Sequence, residues 1–496
     1  MATKPTEYDQ GHEPLIVQEA ATSTAAPWVP LFWHPCTFSA DLFMEVMMNL
    51  IKNPNINSSW LFRADILHDE EGNGGFTAPS EVGYDLQIPS FSGFECRRYM
   101  IRKLIPRNTQ RDKPLDQTCL VYESTGSEDV QQTLIVYLPH LSNPEDVPFY
   151  HPKAKGVGFL HSWNAKEPTG TISIHYLYFP DTEVTTKLTR TALHLLTVIS
   201  KHGEGKMTGY VKRVHHDVVI PQATFQNRYA ALKTKYAKQL IDTWAETTDP
   251  LKHVFEDLGI AAFFIELWKE MYPDTTPFPG FVDIGCGNGL LVYILNSEGY
   301  TGWGFDARAR KSWDQYTTTV TNSGSPQPSL KQAVLIPSII APPSTEKTPD
   351  SAIHSGLFPK GTFIISNHAD ELTPWTPILA TLSQCPFVMI PCCSHNLTGD
   401  KYRAPPPKDK SKSESAYSSL VAWTEQIARD CGWEVETEML RIPSTRNTAL
   451  LGRKRIEGEG KAFEEVDVEA IVHKYGGTGN WVDNAMKLVK TGPRGH

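Results

Sequence analysis

Residues 281–313 read FVDIGCGNGLLVYILNSEGYTGWGFDARARKSW, and this stretch decides the fold. Phe281–Ile284 is a short apolar run of strand character. Gly285-Cys286-Gly287-Asn288-Gly289 follows as a turn with glycines at alternate positions. Leu290–Ser297 is apolar enough for a helix packed on a sheet, and Glu298-Gly299 stops it. Residues 300–305 read as a second strand that runs into Asp306. Strand, glycine turn, helix, strand and acid form the layout of a nucleotide-type site on a parallel sheet. Glycine lets the backbone come close to a ligand, and an acid at the second strand end can bind both hydroxyls of a ribose.

The glycine spacing selects the ligand class. A dinucleotide fingerprint reads G-x-G-x-x-G. Here the third glycine comes one place early, at Gly289, and Leu290 stands where that fingerprint wants Gly or Ala. A further acid, Asp283, lies within the first strand. The pattern D-x-G-x-G-x-G resembles the first motif of S-adenosylmethionine-dependent methyltransferases. The resemblance implies cofactor contacts from Asp283, Gly285, Cys286, Gly287, Asn288, Gly289 and Asp306. Asp283 would lie near the methionine amino group and Asp306 would hold the ribose.

Around this stretch the chain has 496 residues, enough for two domains, with 40% hydrophobic residues and twelve tryptophans to build their cores. A net charge of −9 excludes a polycation, so nucleic-acid binding would have to come from local patches. The eight cysteines include no C-x-x-C and suggest neither a disulfide framework nor a zinc site. Reduced thiols in a cytoplasmic protein are expected. No signal-peptide pattern is visible, and no apolar run approaches the roughly 20 residues of a membrane span. No metal, membrane or obligate protein partner is expected.

Residues 1–30 are expected to form a disordered tail and residues 31–220 an α+β domain with a role in RNA recognition. In that domain a helix follows Ser39, strands fill much of 85–140 and 172–179, and a helix covers 190–200. His175 and His194 read as core residues. The segment 201–216 is basic, and its Lys212 and Arg213 are candidate phosphate contacts. Residues 221–455 are expected to be a doubly wound, Rossmann-like α/β domain, and 456–496 a helical extension. Helices are expected over 222–246 and from Pro250 to 270. A third strand is read within 333–340, followed by strands at 362–366, 387–390, 433–440 and 448–451. Residues 400–415, rich in Pro and Lys, read as a mobile loop that could also touch RNA.

Ligands in such a sheet bind beyond the carboxyl ends of the strands. The segments 283–289, 306–310 and 367–371 therefore converge, with Pro391-Cys392-Cys393 beside them. Methyl transfer to a hydroxyl needs an in-line acceptor and a base for its proton. His368, Asp370 and Glu371 are the available bases, and Asn367 is a further cofactor contact. Asn367-His368-Ala369-Asp370 lacks the prolines and aromatic residue associated with amine methylation. Carbon-5 methylation of a pyrimidine remains open, because Cys392 or Cys393 could serve as the nucleophile. A non-catalytic tRNA-binding protein with a relict cofactor fold is a third possibility.

Four segments together resemble the tRNA (uracil-2′-O-)-methyltransferases that modify uridine 44 of serine tRNA in the eukaryotic cytoplasm. They are TTDPLKHVFEDLGIAAFFIELW (247–268), residues 282–313, NHADELTPW (367–375) and MIPCC (389–393). The resemblance implies a class I methyltransferase domain, S-adenosylmethionine as cofactor and serine tRNA as partner. It also implies that Arg308, Arg310 and Lys311, just past the ribose-binding acid, face the RNA. It leaves the general base open between Asp370 and Glu371.

Overall fold

Apolar and polar residues alternate with period two through much of residues 29–177, and there the chain forms antiparallel strands. The computed structural model describes residues 4–9, 11–19, 27–76, 88–109, 111–126, 129–182, 184–209, 216–322, 325–340, 353–409, 412–456 and 463–490. The chain divides into two units, Met1–Lys212 and Arg213–His496.

In the first unit the elements are β1 (Thr6–Glu7), β2 (Val29–Cys36), α1 (Ala40–Lys52), β3 (Leu61–Glu71), β4 (Phe94–Pro106), β5 (Leu115–Ser124), β6 (Val130–Pro139), β7 (Gly156–Asn164), β8 (Thr169–Leu177) and α2 (Thr186–Met207). The strands form one antiparallel sheet in the order β1-β2-β8-β7-β6-β5-β4-β3. One face packs Ile135, Phe159 and Ile174 against Phe43 and Leu50 of α1 and Leu196 and Ile199 of α2. The other face packs Tyr99, Leu120 and Val136 against Ile16 and Trp28.

This second core corrects the expected disordered tail at 1–30. Among the described residues of that stretch, Thr6–Glu7 pairs with β2, and Ile16 and Trp28 are buried. The sheet has two apolar faces and only one is covered by helices, so the N-terminal segment covers the other. Gly156 makes room for it, since a Cβ there would stand 2.5 Å from the Trp28 ring. The basic segment also differs from expectation. Its first part continues α2 to Met207, where Gly203 packs directly on Phe38 and Lys206 pairs with Glu45. Lys212 and Arg213 lie outside the described residues.

The second unit contains α3 (Gln222–Asp242), α4 (Pro250–Met271), β9 (Phe281–Ile284), α5 (Leu290–Ser297), β10 (Gly302–Asp306), β11 (Leu330–Gln332), β12 (Phe363–Asn367), α6 (Thr376–Ser383), β13 (Phe387–Ile390), α7 (Ala416–Asp430), β14 (Trp433–Met439), β15 (Thr448–Arg455), α8 (Val468–Lys474) and α9 (Trp481–Lys490). Its seven-stranded sheet has the order β11-β10-β9-β12-β13-β15-β14. All neighbours are parallel except around β15, which is antiparallel to β13 and β14. The third strand lies earlier than the 333–340 run. Leu330–Gln332 pairs with β10, whereas Val334–Leu335 pairs with Ile353–His354 in a separate ribbon.

Helices cover both faces of this sheet. Along β9, Phe281 joins the core shared with α4 and α5, while Val282 and Ile284 join the core shared with α6 and α7. α4 starts where Asp249 accepts a hydrogen bond from the Leu251 amide at 2.9 Å, with Pro250 in the first turn. It is apolar nearly all round, as befits a helix enclosed by other elements. The expected C-terminal extension is helical and is built into the second core through Val472 and Trp481. Strand order reverses between β9 and β12, which opens a crevice at their carboxyl ends. No helix among the described residues is long and apolar enough to cross a membrane.

Candidate active site

That crevice is a cleft of about 570 Å³. The three glycines that announce it have left-handed backbones, with φ of 75°, 54° and 77° at Gly285, Gly287 and Gly289. Each does a different job. A Cβ at Gly285 would lie 3.1 Å from that of Ala369, so this glycine lets the turn meet the end of β12. At Gly287 nothing lies within 4 Å, and its backbone faces the cleft. At Gly289 a Cβ would stand 2.4 Å from Leu330, so this glycine serves packing on β11 and does not line the cleft. Cys286 and Asn288 do line it.

The turn is held from behind by the end of the same stretch. Trp313 Nε1 donates to Gly287 O at 2.9 Å and Ser312 Oγ to Asn288 O at 2.8 Å. Glu246 in turn accepts from the Ser312 amide at 3.0 Å. Asp306 accepts from the amides of Gly287 and Arg308, both at 3.1 Å, which fixes its carboxylate at the rim of the turn. Burial raises its pKa, and the bonds from Arg308 and Gly287 and the charge of Arg310 oppose that rise.

Four carboxylates crowd the floor. Asp283 is 1% exposed, and its Oδ1 is buried without a hydrogen-bond partner. Burial first, then the charges of Asp257 and Asp306, push it well above the carboxylate range. Asp257 on α4 is pushed up to about 8 by burial and by neighbouring Glu256, against a hydrogen bond from Asn367. The Asn367 Oδ1 atom is also buried without a partner. Orphaned acceptors in an acidic floor are costly. A ligand ammonium supplies both the missing donors and the missing positive charge. The donor set therefore fits the methionine end of S-adenosylmethionine, with Asp306 left for its ribose. α4 was expected only to dock beside the strand, and nothing local in its sequence marks Glu256 and Asp257 as cleft residues.

The segment Asn367–Glu371 turns sharply, with φ of 52° at His368 and 44° at Asp370. Non-glycine residues held in this region cost of order 1 kcal/mol or more, and they gather at functional sites. The turn gives its three titratable side chains different partners. His368 Nε2 lies 3.0 Å from Glu256 Oε1. Asp370 Oδ1 accepts from the Cys392 thiol at 2.9 Å. Glu371 is buried, 3.8 Å from His395 Nε2. Asp370, Cys392 and Cys393 place their ligand atoms within 4.8 Å of one another, a closeness that the thiol–carboxylate hydrogen bond explains.

Arg308 and Arg310 line the cleft, whereas Lys311 is exposed outside its lining. A neighbouring cleft of about 670 Å³ shares Asp370, Cys392, Cys393 and Arg446 with the first, and adds Lys401, Arg403 and Tyr417. The loop that carries Lys401 and Arg403 thus lies beside the proposed chemistry. Arg446 stacks over the Tyr417 ring at 4.7 Å.

Fold and cleft together define an S-adenosylmethionine-dependent methyltransferase, and comparison with known proteins agrees. Residues 219–328 match the family described as "Predicted AdoMet-dependent methyltransferase", and residues 6–213 match "TRM44-like, N-terminal bet v1-like domain". A tRNA (uracil-O(2)-)-methyltransferase of Neurospora crassa is 57% identical over 488 residues, covering 96% of each chain. The protein of that name from Schizosaccharomyces pombe is 39% identical, covering 95% of this chain and 94% of its own. That from Saccharomyces cerevisiae is 38% identical, covering 93% and 92%. The chain belongs to the tRNA (uracil-O(2)-)-methyltransferase family. It is an enzyme, and the non-catalytic reading is set aside.

Proposed function

We propose that the protein methylates the 2′-oxygen of a uridine ribose in tRNA, at uridine 44 of serine tRNA. The observation that carries this reading is the place of Asp370. It stands where the acidic cleft meets the cationic one, between the residues suited to the cofactor and those suited to RNA phosphates. The relatives' name supports tRNA as the substrate, and the resemblance of segments 247–268, 282–313, 367–375 and 389–393 supports the serine tRNA and its position 44. The eight free thiols suit a reducing compartment, and we place the protein in the cytoplasm.

When bound, S-adenosylmethionine supplies a methyl group on a positively charged sulfur. Asp283 and Asp257 hold the ammonium, Asp306 holds the ribose hydroxyls, and Gly287 lets the ligand lie against the backbone. Asp370 would accept the proton of the uridine 2′-hydroxyl while that oxygen takes the methyl group and the sulfur keeps the pair of the broken methyl–sulfur bond, and would then release the proton to water. Arg446, Lys401 and Arg403 neutralise the phosphates on either side. Carbon-5 chemistry would instead need a thiolate. The hydrogen bond between Cys392 and Cys393, with burial and the Asp370 carboxylate, keeps the Cys392 thiol protonated, whereas that same bond lowers Cys393, so Cys393 is the thiol this reading would use.

The test is to methylate a serine tRNA transcript with labelled cofactor and digest it to nucleosides. Label in 2′-O-methyluridine supports the proposal. Label in 5-methyluridine, or in any base, overturns it.

A further inference from the structure

The first unit has a cleft of its own, of about 500 Å³, between the sheet and the start of α2. Its floor holds a charge without a counter-charge. Arg102 on β4 is 5% exposed and sits opposite Gln117 on β5. Its guanidinium donates to Gln117 Oε1 at 3.0 and 2.6 Å and to Ile51 O at 2.6 Å, all neutral acceptors. Beside it the Tyr137 ring lies 4.6 Å away, and the Tyr137 hydroxyl, in a residue 6% exposed, is buried with no hydrogen-bond partner. His151, next to Gln117, is kept neutral, its pKa lowered to about 4 by burial. Among the described residues no carboxylate lines the cleft, although the chain as a whole carries a net charge of −9. Asp112 and Asp116 act nearby, on the Tyr150 hydroxyl. A buried cation beside an orphaned hydroxyl favours a ligand that brings hydrogen-bond acceptors.

The rim adds the second half of a ligand. Trp60 and Phe149 are 42% and 49% exposed, large values for such side chains, with ring centroids 5.0 Å apart. Lys187 Nζ lies 3.6 Å from the Phe149 centroid, and the Arg111 guanidinium 5.3 Å from that of Trp60. Arg190, one turn after Lys187 on α2, also lines the cleft. Exposed aromatic faces interleaved with cations are how single-stranded nucleic acid is held, base on ring and phosphate on charge. Inward polar groups such as Arg102 and Tyr137 then meet the edge of an unstacked base.

We propose that this cleft binds an unpaired nucleotide of the substrate tRNA, with its base on Trp60, which Phe149 supports edge-on at 70°, its phosphate at Lys187 and Arg190, and its polar edge toward Arg102 and Tyr137. The choice of tRNA as the source rests on the function proposed above. A small apolar ligand would leave the Tyr137 hydroxyl without a partner and bring no polar group to the Arg102 charge.

Binding of end-labelled serine tRNA to the full chain, followed by fluorescence anisotropy without cofactor, tests this. Because no methyl transfer is involved, a failed methylation assay leaves the outcome standing, so the two readings fail separately. Trp60→Ala should weaken binding about fivefold or more. Lys187→Ala combined with Arg190→Ala should lower the salt slope by about 1 to 2. Both sets alter exposed side chains, and unchanged melting curves confirm that the variants fold. A fully paired RNA hairpin should bind the wild type and Trp60→Ala equally. Unchanged affinity and slope in both variants, equal weakening for the hairpin, or an apolar dye held in the cleft that excess tRNA fails to displace would overturn the proposal.

Discussion

Seven carboxylates line the cleft at the strand ends of the second unit, Glu246, Glu256, Asp257, Asp283, Asp306, Asp370 and Glu371, against Lys252, Arg308, Arg310 and Arg446. Among the described residues, three permanent cations, Arg102, Lys187 and Arg190, line the cleft of the first unit, and no acid does. Each imbalance is relieved when a ligand of the opposite sign binds. The acidic cleft suits a small cation carrying ribose hydroxyls, which is what S-adenosylmethionine presents. The cationic cleft suits a polyanion. For a chain with a net charge of −9, attraction to RNA has to be local, and confining cations to such clefts achieves this.

The comparison can be broken most sharply at Asp370, where acid meets RNA-facing cations. Asp370→Asn should slow single-turnover methylation by roughly 10²- to 10⁴-fold while leaving the affinity for both ligands unchanged. Loss of cofactor affinity instead would move Asp370 into the binding set. Asp283→Asn keeps the size of the side chain and removes the carboxylate that would ionise against the cofactor's ammonium. Calorimetry should show cofactor affinity falling roughly 10- to 100-fold, with tRNA affinity unchanged. A fall in tRNA affinity would show that the two clefts do not divide the ligands by charge.

A pH series sharpens the acidic side. Burial lifts Asp257 from 3.8 to about 8. Across that interval the folded chain keeps a proton that the unfolded chain has lost, so the cofactor-free protein loses stability as pH rises and levels off above it. Asp257→Asn removes this slope. The variant should melt above the wild type at the upper end of the range and converge with it at the lower end, the gap growing by at most ~1.4 kcal/mol per pH unit. Parallel melting curves would show that Asp257 is not held protonated. The smallest effect is expected at Trp313→Phe, which removes the bond to Gly287 O and part of a buried ring. Cofactor affinity should fall roughly threefold to tenfold, and an unchanged affinity would mean that the turn holds its shape without it.

The parts of this account that were legible in the sequence are local ones. The glycine turn, Asp283, Asp306 and the Asn367–Glu371 turn announce themselves as cleft residues because each pattern is written within a few residues. Glu256 and Asp257 are silent, since an acid on a helix is ordinary until packing turns that helix onto a strand end. Ser312 and Trp313 lay inside the deciding stretch, yet their bonds to the glycine turn span 24 and 26 residues and have no periodic signature. In the first unit, Trp28 and Gly156 make one core contact across 128 positions, so residues before 30 read as a tail. Its cleft was invisible for the same reason: Arg102, Tyr137 and Lys187 come together only across the sheet and α2.

Partial alkaline hydrolysis of serine tRNA after incubation with the protein and S-adenosylmethionine tests the central claim most directly. A methylated 2′-oxygen cannot attack its neighbouring phosphate, so the account predicts one gap in the ladder, on the 3′ side of uridine 44, absent with Asp370→Asn. Methyl incorporation with an unbroken ladder would contradict it.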